Sequence, residues 1–205
     1  MPNWCETAIK VKGYKPNVDE FIRILNADYD YRSMEFSHIP HLFRIFHVEE
    51  IEYGIIPETD NIVVAELYCD CAWSAYVCMF PGKFTYYDSS KKDFSNFYGT
   101  NILRISKLLR LDIEIISKEP GMLFQEHYRI INGDLILDKE TSFDYYWIDG
   151  YNNYQEYKED YQDTKLTEDE FNNARCNGEE YIEHLNIEMD AFQMPDGMIE
   201  MCTKK

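Results

Sequence analysis

The sequence predicts an α+β fold, an antiparallel sheet with two helices on one face. Three observations predict it: short stretches in which apolar and polar residues alternate, two stretches with apolar residues at helical spacing, and the order in which they come. Thr7-Ala8-Ile9-Lys10-Val11-Lys12 alternates and stops at Gly13, the pattern of a strand with one buried face. Asn17 to Leu25 puts Val18, Phe21, Ile22 and Leu25 at helical spacing, with Asn17 placed as the cap and Asp19-Glu20 in the first turn, where the helix dipole favours acids. Phe43 to Ile51 and Ile62 to Cys69 are apolar-rich and are separated by Gly54, Pro57 and Asp60-Asn61, which gives strand, connection, strand. Thr100 to Leu111 repeats Ile102, Leu103, Ile105, Leu108 and Leu109 as a second helix, and Asp112 to Ile116 is a strand closed by Glu119-Pro120-Gly121. The order β-α-β-β-α-β is the ferredoxin-like, split βαβ arrangement.

Further along, Asn132-Gly133-Asp134 lies between Glu126 to Ile131 and Leu135 to Asp138, and an Asn-Gly step between strand-like stretches marks a tight hairpin. Thr167-Glu168-Asp169-Glu170 has the form of a capping box that opens a short helix through Arg175, with Gly178 as its stop. Leu185 to Ala191 and Met198 to Cys202, joined through Pro195-Asp196-Gly197, read as a last hairpin. The expected division is a ferredoxin-like domain with its added hairpin over residues 1–139 and an acidic, tyrosine-rich extension over 140–205, packed on the first.

Charge narrows the function classes. Twenty Lys and Arg stand against 38 Asp and Glu, a net charge of −18 over 205 residues. Phosphate binding needs clustered positive charge, so direct nucleic-acid binding is not expected. Residues 140–205 hold 17 acidic and 5 basic residues, net −12, which is two thirds of the excess. That region also carries Tyr145, Tyr146, Trp147, Tyr151, Tyr154, Tyr157, Tyr161, Phe171 and Tyr181, rings that disordered acidic tails lack, so it is expected to fold. No run reaches the ~18 apolar residues of a membrane helix, and the start lacks the basic and apolar regions of a signal peptide. The six cysteines, with Cys5, Cys176 and Cys202 far apart, do not form the frame of a secreted disulfide protein. A cytoplasmic protein with no membrane partner is expected.

The opening Met1-Pro2-Asn3-Trp4-Cys5, followed by a short alternating strand and Gly13, resembles the start of the YubB-like ferredoxin-like family, written MPNWC-x-N-x-L-x-V-x-G. Ala72-Trp73-Ser74 and Glu119-Pro120-Gly121 are similar to the family's Ala-Trp-Ser stretch before the second helix and its acidic-Pro-Gly turn after the last core strand. The likeness runs over residues 1–140; Glu6-Thr7 departs from the family's polar residue and Asn, and the acidic C-terminal third has no counterpart in it. The resemblance implies the fold and an origin in phages, plasmids or integrated elements. It implies no activity and no catalytic residue.

Two places are candidates for a site. The stretch CDCAWSAYVCMF, Cys69 to Phe80, gathers three of the six cysteines. Cys69-x-Cys71 with Cys78 offers three thiolates where a zinc site needs four ligands, and although His38, His41 or His47 can supply a fourth, no paired Cys spacing supports it. Core packing is the simpler account of the thiols, and no metal or cofactor is expected. A nucleophilic Cys71 beside Asp70 lacks an orienting third group, and the apolar residues around Cys78 raise a thiol pKa. Trp4 and Trp73 read as core or interface anchors, Trp4 as largely buried, with base stacking as the functional alternative. Arg104, Lys107 and Arg110 form a narrow basic stripe on the second helix, most simply a solvated face.

The second place is the acidic-aromatic block, with Asp144, Tyr146, Trp147, Tyr154, Glu156, Tyr157, Glu159, Asp160, Tyr161 and Asp163 as partner-binding residues. Carboxylates interleaved with rings match a basic groove in charge and supply the aromatic anchors that interfaces favour. The rings can equally form a small core of their own. The function expected is thus a non-enzymatic interaction protein of a phage or mobile element, an anti-defence inhibitor that occupies a basic, nucleic-acid-binding surface of a host protein. The alternatives are a small enzyme or nucleotide-binding module using Trp4, Cys69, Cys71 and Trp73, and a purely structural oligomer.

Overall fold

The computed structural model describes residues 3–26, 42, 44–55, 61–88 and 92–193. The chain is α+β and divides into two compact units, one made of Met1–Glu140 with the chain from Ile187 onward, the other of Thr141–Asn186. Among the described residues, Ile187–Gln193 belong with the first unit. Among the described residues no helix is long and apolar enough to cross a membrane.

The first unit contains β1 (Trp4–Tyr14), α1 (Lys15–Leu25), β2 (Ile45–Ile55), β3 (Ile62–Ala72), α2 (Ala75–Met79), β4 (Lys83–Asp88), β5 (Asp93–Tyr98), α3 (Ile102–Leu109), β6 (Asp112–Glu119), β7 (Phe124–Ile131) and β8 (Asp134–Ser142), the last crossing the unit boundary. Six strands form one sheet in the order β2-β3-β1-β6-β7-β8, and β4 pairs with β5 in a separate hairpin. The hairpin expected after the fourth core strand does extend the sheet, as β7 and β8. Two strands continue it beyond β6, and α2 with the β4–β5 hairpin interrupts the stretch between β3 and α3, where the sequence was read as having no strand.

The core follows from the period of two. In β3 the odd residues Val63, Ala65, Leu67, Cys69 and Cys71 are buried and the even ones are not, save Ala72 at the strand's end. They join Cys5, Ile9 and Val11 of β1, Ile113 and Ile115 of β6, and Tyr128 and Ile130 of β7, closed over by Val18, Phe21, Ile24 and Leu25 of α1 and Ile102 and Ile105 of α3. β1 is buried on both faces, because its other side is covered too. There Gln125 donates Nε2–H to the Ile187 carbonyl at 2.5 Å and accepts from the Ile187 amide at 3.1 Å, and the Gln193 amide donates to Glu114 at 3.0 Å. His127 Nε2 lies 2.6 Å from the same fully buried carboxylate. The hairpin expected from Leu185 to Cys202 is therefore corrected in its first half: Leu185–Ala191 is not a strand, its Ile187 amide bonding to the Gln125 side chain and its Ala191 amide turning back to the Glu188 carbonyl at 3.0 Å, and residues 194–205 lie outside the described residues.

Three boundaries differ for local reasons. α1 starts at Lys15, two residues before the expected cap, because Pro16 fits the first helical turn; Asn17 sits inside and donates its amide to the Leu109 carbonyl at 2.7 Å, satisfying an open end of α3. α3 is capped by Asn101, whose side chain accepts from the Arg104 amide at 2.8 Å, and ends at Arg110 with φ 52°. Arg110 thus leaves the helix and the expected three-residue basic stripe shortens to Arg104 and Lys107. At the β7–β8 turn Asn132 and Gly133 both have positive φ (48° and 91°), the geometry that Asn-Gly supplies, and a Cβ on Gly133 would lie 2.6 Å from that of Lys107.

Candidate partner-binding surface

The second unit is built by β9 (Asp144–Trp147), α4 (Tyr154–Asp160), α5 (Glu168–Asn177) and β10 (Tyr181–His184), with β9 and β10 paired antiparallel. Each helix has a sequence-encoded start. Asn153 accepts from the Glu156 amide at 3.0 Å, and Thr167 with Glu170 forms the expected capping box, closed at the far end by Gly178 at φ 75°. Ile148, Tyr157, Leu166, Phe171 and Ala174 form a buried core, with Tyr146, Tyr151, Tyr154 and Ile182 packed against it. The Tyr154 hydroxyl donates to the Leu166 carbonyl at 2.7 Å.

The ten residues expected to bind a partner therefore divide. Tyr157 is buried, its phenol pushed up by that burial, and Tyr146 and Tyr154 pack on the same core. Asp144, Glu156, Glu159, Asp160, Trp147, Tyr161 and Asp163 lie at or near the surface, Trp147 and Tyr161 about half exposed at 48% and 49%. Several carboxylates are fixed: Asp144 pairs with Lys165 at 2.6 Å, which holds it below the usual carboxylate range, and Asp160 accepts from the Tyr151 hydroxyl at 3.0 Å. Burial first, and that hydrogen bond second, push the Tyr151 phenol up to about 12. The unit's 12 acidic and 3 basic residues leave it at −9.

Two rings in this surface were not singled out from the sequence. Register places Tyr181 opposite Trp147 and Glu183 opposite Tyr145, so these four side chains share the sheet face turned away from Tyr146 and Ile182. Tyr145 and Tyr181 stack with ring centroids 5.0 Å apart at 20°, and Tyr181 and Trp147 follow at 6.5 Å and 14°. The signal was present as Asp144-Tyr145-Tyr146-Trp147, a run of rings whose two faces only the pairing with β10, more than thirty residues on, makes distinct.

The alternative site does not come together as one surface. Cys5, Cys69, Cys71 and Cys78 are all buried in the first unit's core. Burial pushes the Cys5 thiol up to about 12; hydrogen bonding to Cys71, then burial, pushes Cys69 and Cys78 up, while the thiols of Cys69 and Cys78 pull Cys71 down. Trp4 is 44% exposed, correcting the burial expected of it, because it is the first residue of β1, at the strand's open end, edge-on to Phe46 at 5.1 Å. Trp73, at φ 79°, is 46% exposed beneath the Arg44 guanidinium at 4.3 Å. Of the histidines considered as a fourth ligand, His38 and His41 lie outside the described residues, and His47 bonds to Asp70 at 2.8 Å. Among the described residues no three His, Cys, Asp or Glu side chains are grouped to hold a metal ion.

A different concavity of about 310 Å³ opens beside α2, lined by Ser74, Tyr76, Phe124, Tyr128, Asp138 and Glu140 above the buried Glu126. Glu126 accepts from the Ala75 and Tyr76 amides at 2.8 and 3.3 Å, from Ser117 at 2.7 Å and from Tyr128 at 3.0 Å. That carboxylate is occupied by structural partners, which makes it a clamp between α2 and the sheet.

The chain matches no known family model, and no curated protein or solved structure is significantly similar to it.

Proposed function

We propose that the protein is a non-enzymatic interaction protein whose Thr141–Asn186 unit docks on a basic surface of a partner. The observation that carries this reading is the sorting of that unit: part of its aromatic content builds a core of its own, so a charge of −9 is held on a folded surface and not on a loose tail. A charged, ordered surface speeds encounter and fixes orientation, and exposed rings supply affinity. The partner surface that suits it is one shaped for nucleic acid, which makes inhibition of a host defence protein in the cytoplasm the biological form of the proposal. The phage or mobile-element setting rests on the likeness of the opening to the YubB-like family. What supports that likeness is an antiparallel sheet with the neighbour order β2-β3-β1-β6 inside its six strands, together with α1 and α3. No observation favours the enzyme or nucleotide-binding reading, since Cys69 and Cys71 are enclosed.

The test is capture of partners from host lysate at low and at high salt, using the parent and a variant with Glu156 and Glu159 changed to Gln and Asp160 and Asp163 to Asn. The proposal expects a partner held at low salt, released at high salt and weakly held by the variant. A partner held equally by both proteins, or none at any salt, would refute it.

A further inference from the structure

The outer face of the β9–β10 sheet carries Tyr145, Tyr181 and Trp147 as three near-parallel rings, successive planes within 20° and 14° of each other. Large apolar rings on a two-stranded sheet normally turn inward; here the inward positions are taken by Tyr146 and Ile182, and Trp147 and Tyr181 stay 48% and 41% exposed. The charges around the stack are mostly acidic, with Arg175 4.0 Å from Asp149 as a basic neighbour. Glu183 shares its face at the Tyr145 end, and Asp149, Glu179 and Glu180 flank the Trp147 end, where the Ile148 and Asp149 amides donate to the Glu180 carbonyl.

We infer that this stacked face is a docking surface for arginine side chains presented by a basic protein segment. The inference rests on the proposed function and names the partner chemistry within it. An acidic surface attracts lysine and arginine alike, but a planar guanidinium continues a stack of parallel rings and keeps its edge N–H groups for carboxylates beside it; an ammonium has no plane to stack. Rings held side by side by a strand register are preorganised, so binding orders few side chains. The same contact exists inside the chain, where Arg44 covers Trp73 at 4.3 Å.

The experiment uses the full chain and two labelled peptides of equal length and charge, alternating Gly-Arg and alternating Gly-Lys. The Gly-Arg peptide is expected to bind the parent roughly two- to fivefold tighter for each ring engaged. Trp147→Ala and Tyr181→Ala should abolish that preference at a melting temperature near the parent's, and Trp147→Phe should retain most of it. Equal affinity of the parent for both peptides, or a preference that survives loss of both rings, overturns the inference and leaves the acidic-surface proposal standing. Failure of both peptides to bind at low salt overturns both.

Discussion

Glu126 and Trp4 show how far a single side chain's surroundings, and not its type, decide its effect. Removing the Glu126 carboxylate leaves two helix amides and two hydroxyls facing an empty site, so Glu126→Ala should cost about 1–3 kcal/mol in urea unfolding. Burial raises the Glu126 pKa above its ordinary value despite these donors. Its folded pKa exceeds its unfolded one, so the stability this group contributes is fully present below the unfolded pKa and declines as pH rises through the raised folded value. Glu126→Gln, uncharged throughout, should lack that decline, which stability curves of the two proteins across the acidic range would reveal. Trp4 is the opposite case. Half exposed and touching Phe46 edge-on, it should cost only about 0.5–1.5 kcal/mol when changed to Ala, well below a buried tryptophan, and a thermal melt separates the two.

At the scale of elements, the rings of the second unit should fail in two ways. Tyr157 is buried between Tyr154 and Phe171, so Tyr157→Ala should cost about 3–5 kcal/mol and melt the unit, whereas Tyr161→Ala, half exposed, should cost far less; Trp147 fluorescence during urea unfolding reads the difference. Thr167→Ala should remove about 1 kcal/mol through loss of the cap of α5. The elements legible in the sequence were those whose signal is local: the alternation of β1, the Asn-Gly turn, the Thr167 capping box. Those missed depend on distant chain. β10 pairs only with β9, and Tyr181 joins the stack only through that pairing. Ile187–Gln193 has strand-like composition, yet Gln125 and Glu114 on the back of the sheet claim the amides of Ile187 and Gln193, and those of Ala191 and Phe192 turn back on the segment itself. Asn17 looked like a cap because Asn is a good one, but Pro16 began the helix earlier and the Leu109 carbonyl took its amide.

For the whole molecule, the separation of core rings from surface carboxylates in residues 141–186 is what joins the fold to the proposed function. The charge excess was visible in composition; which tyrosines would be spent on stability was not, because a Tyr at helical spacing serves a core or a surface equally well until its neighbours are placed. The most direct measurement of the central claim is the association rate with an arginine-bearing basic peptide as a function of salt, for the parent and for the variant with Glu156, Glu159, Asp160 and Asp163 neutralised. An acidic docking surface predicts fast association in the parent that falls steeply with salt, and a slower rate with a flatter salt dependence in the variant at unchanged melting temperature. Identical rates and identical salt slopes for the two proteins would contradict it.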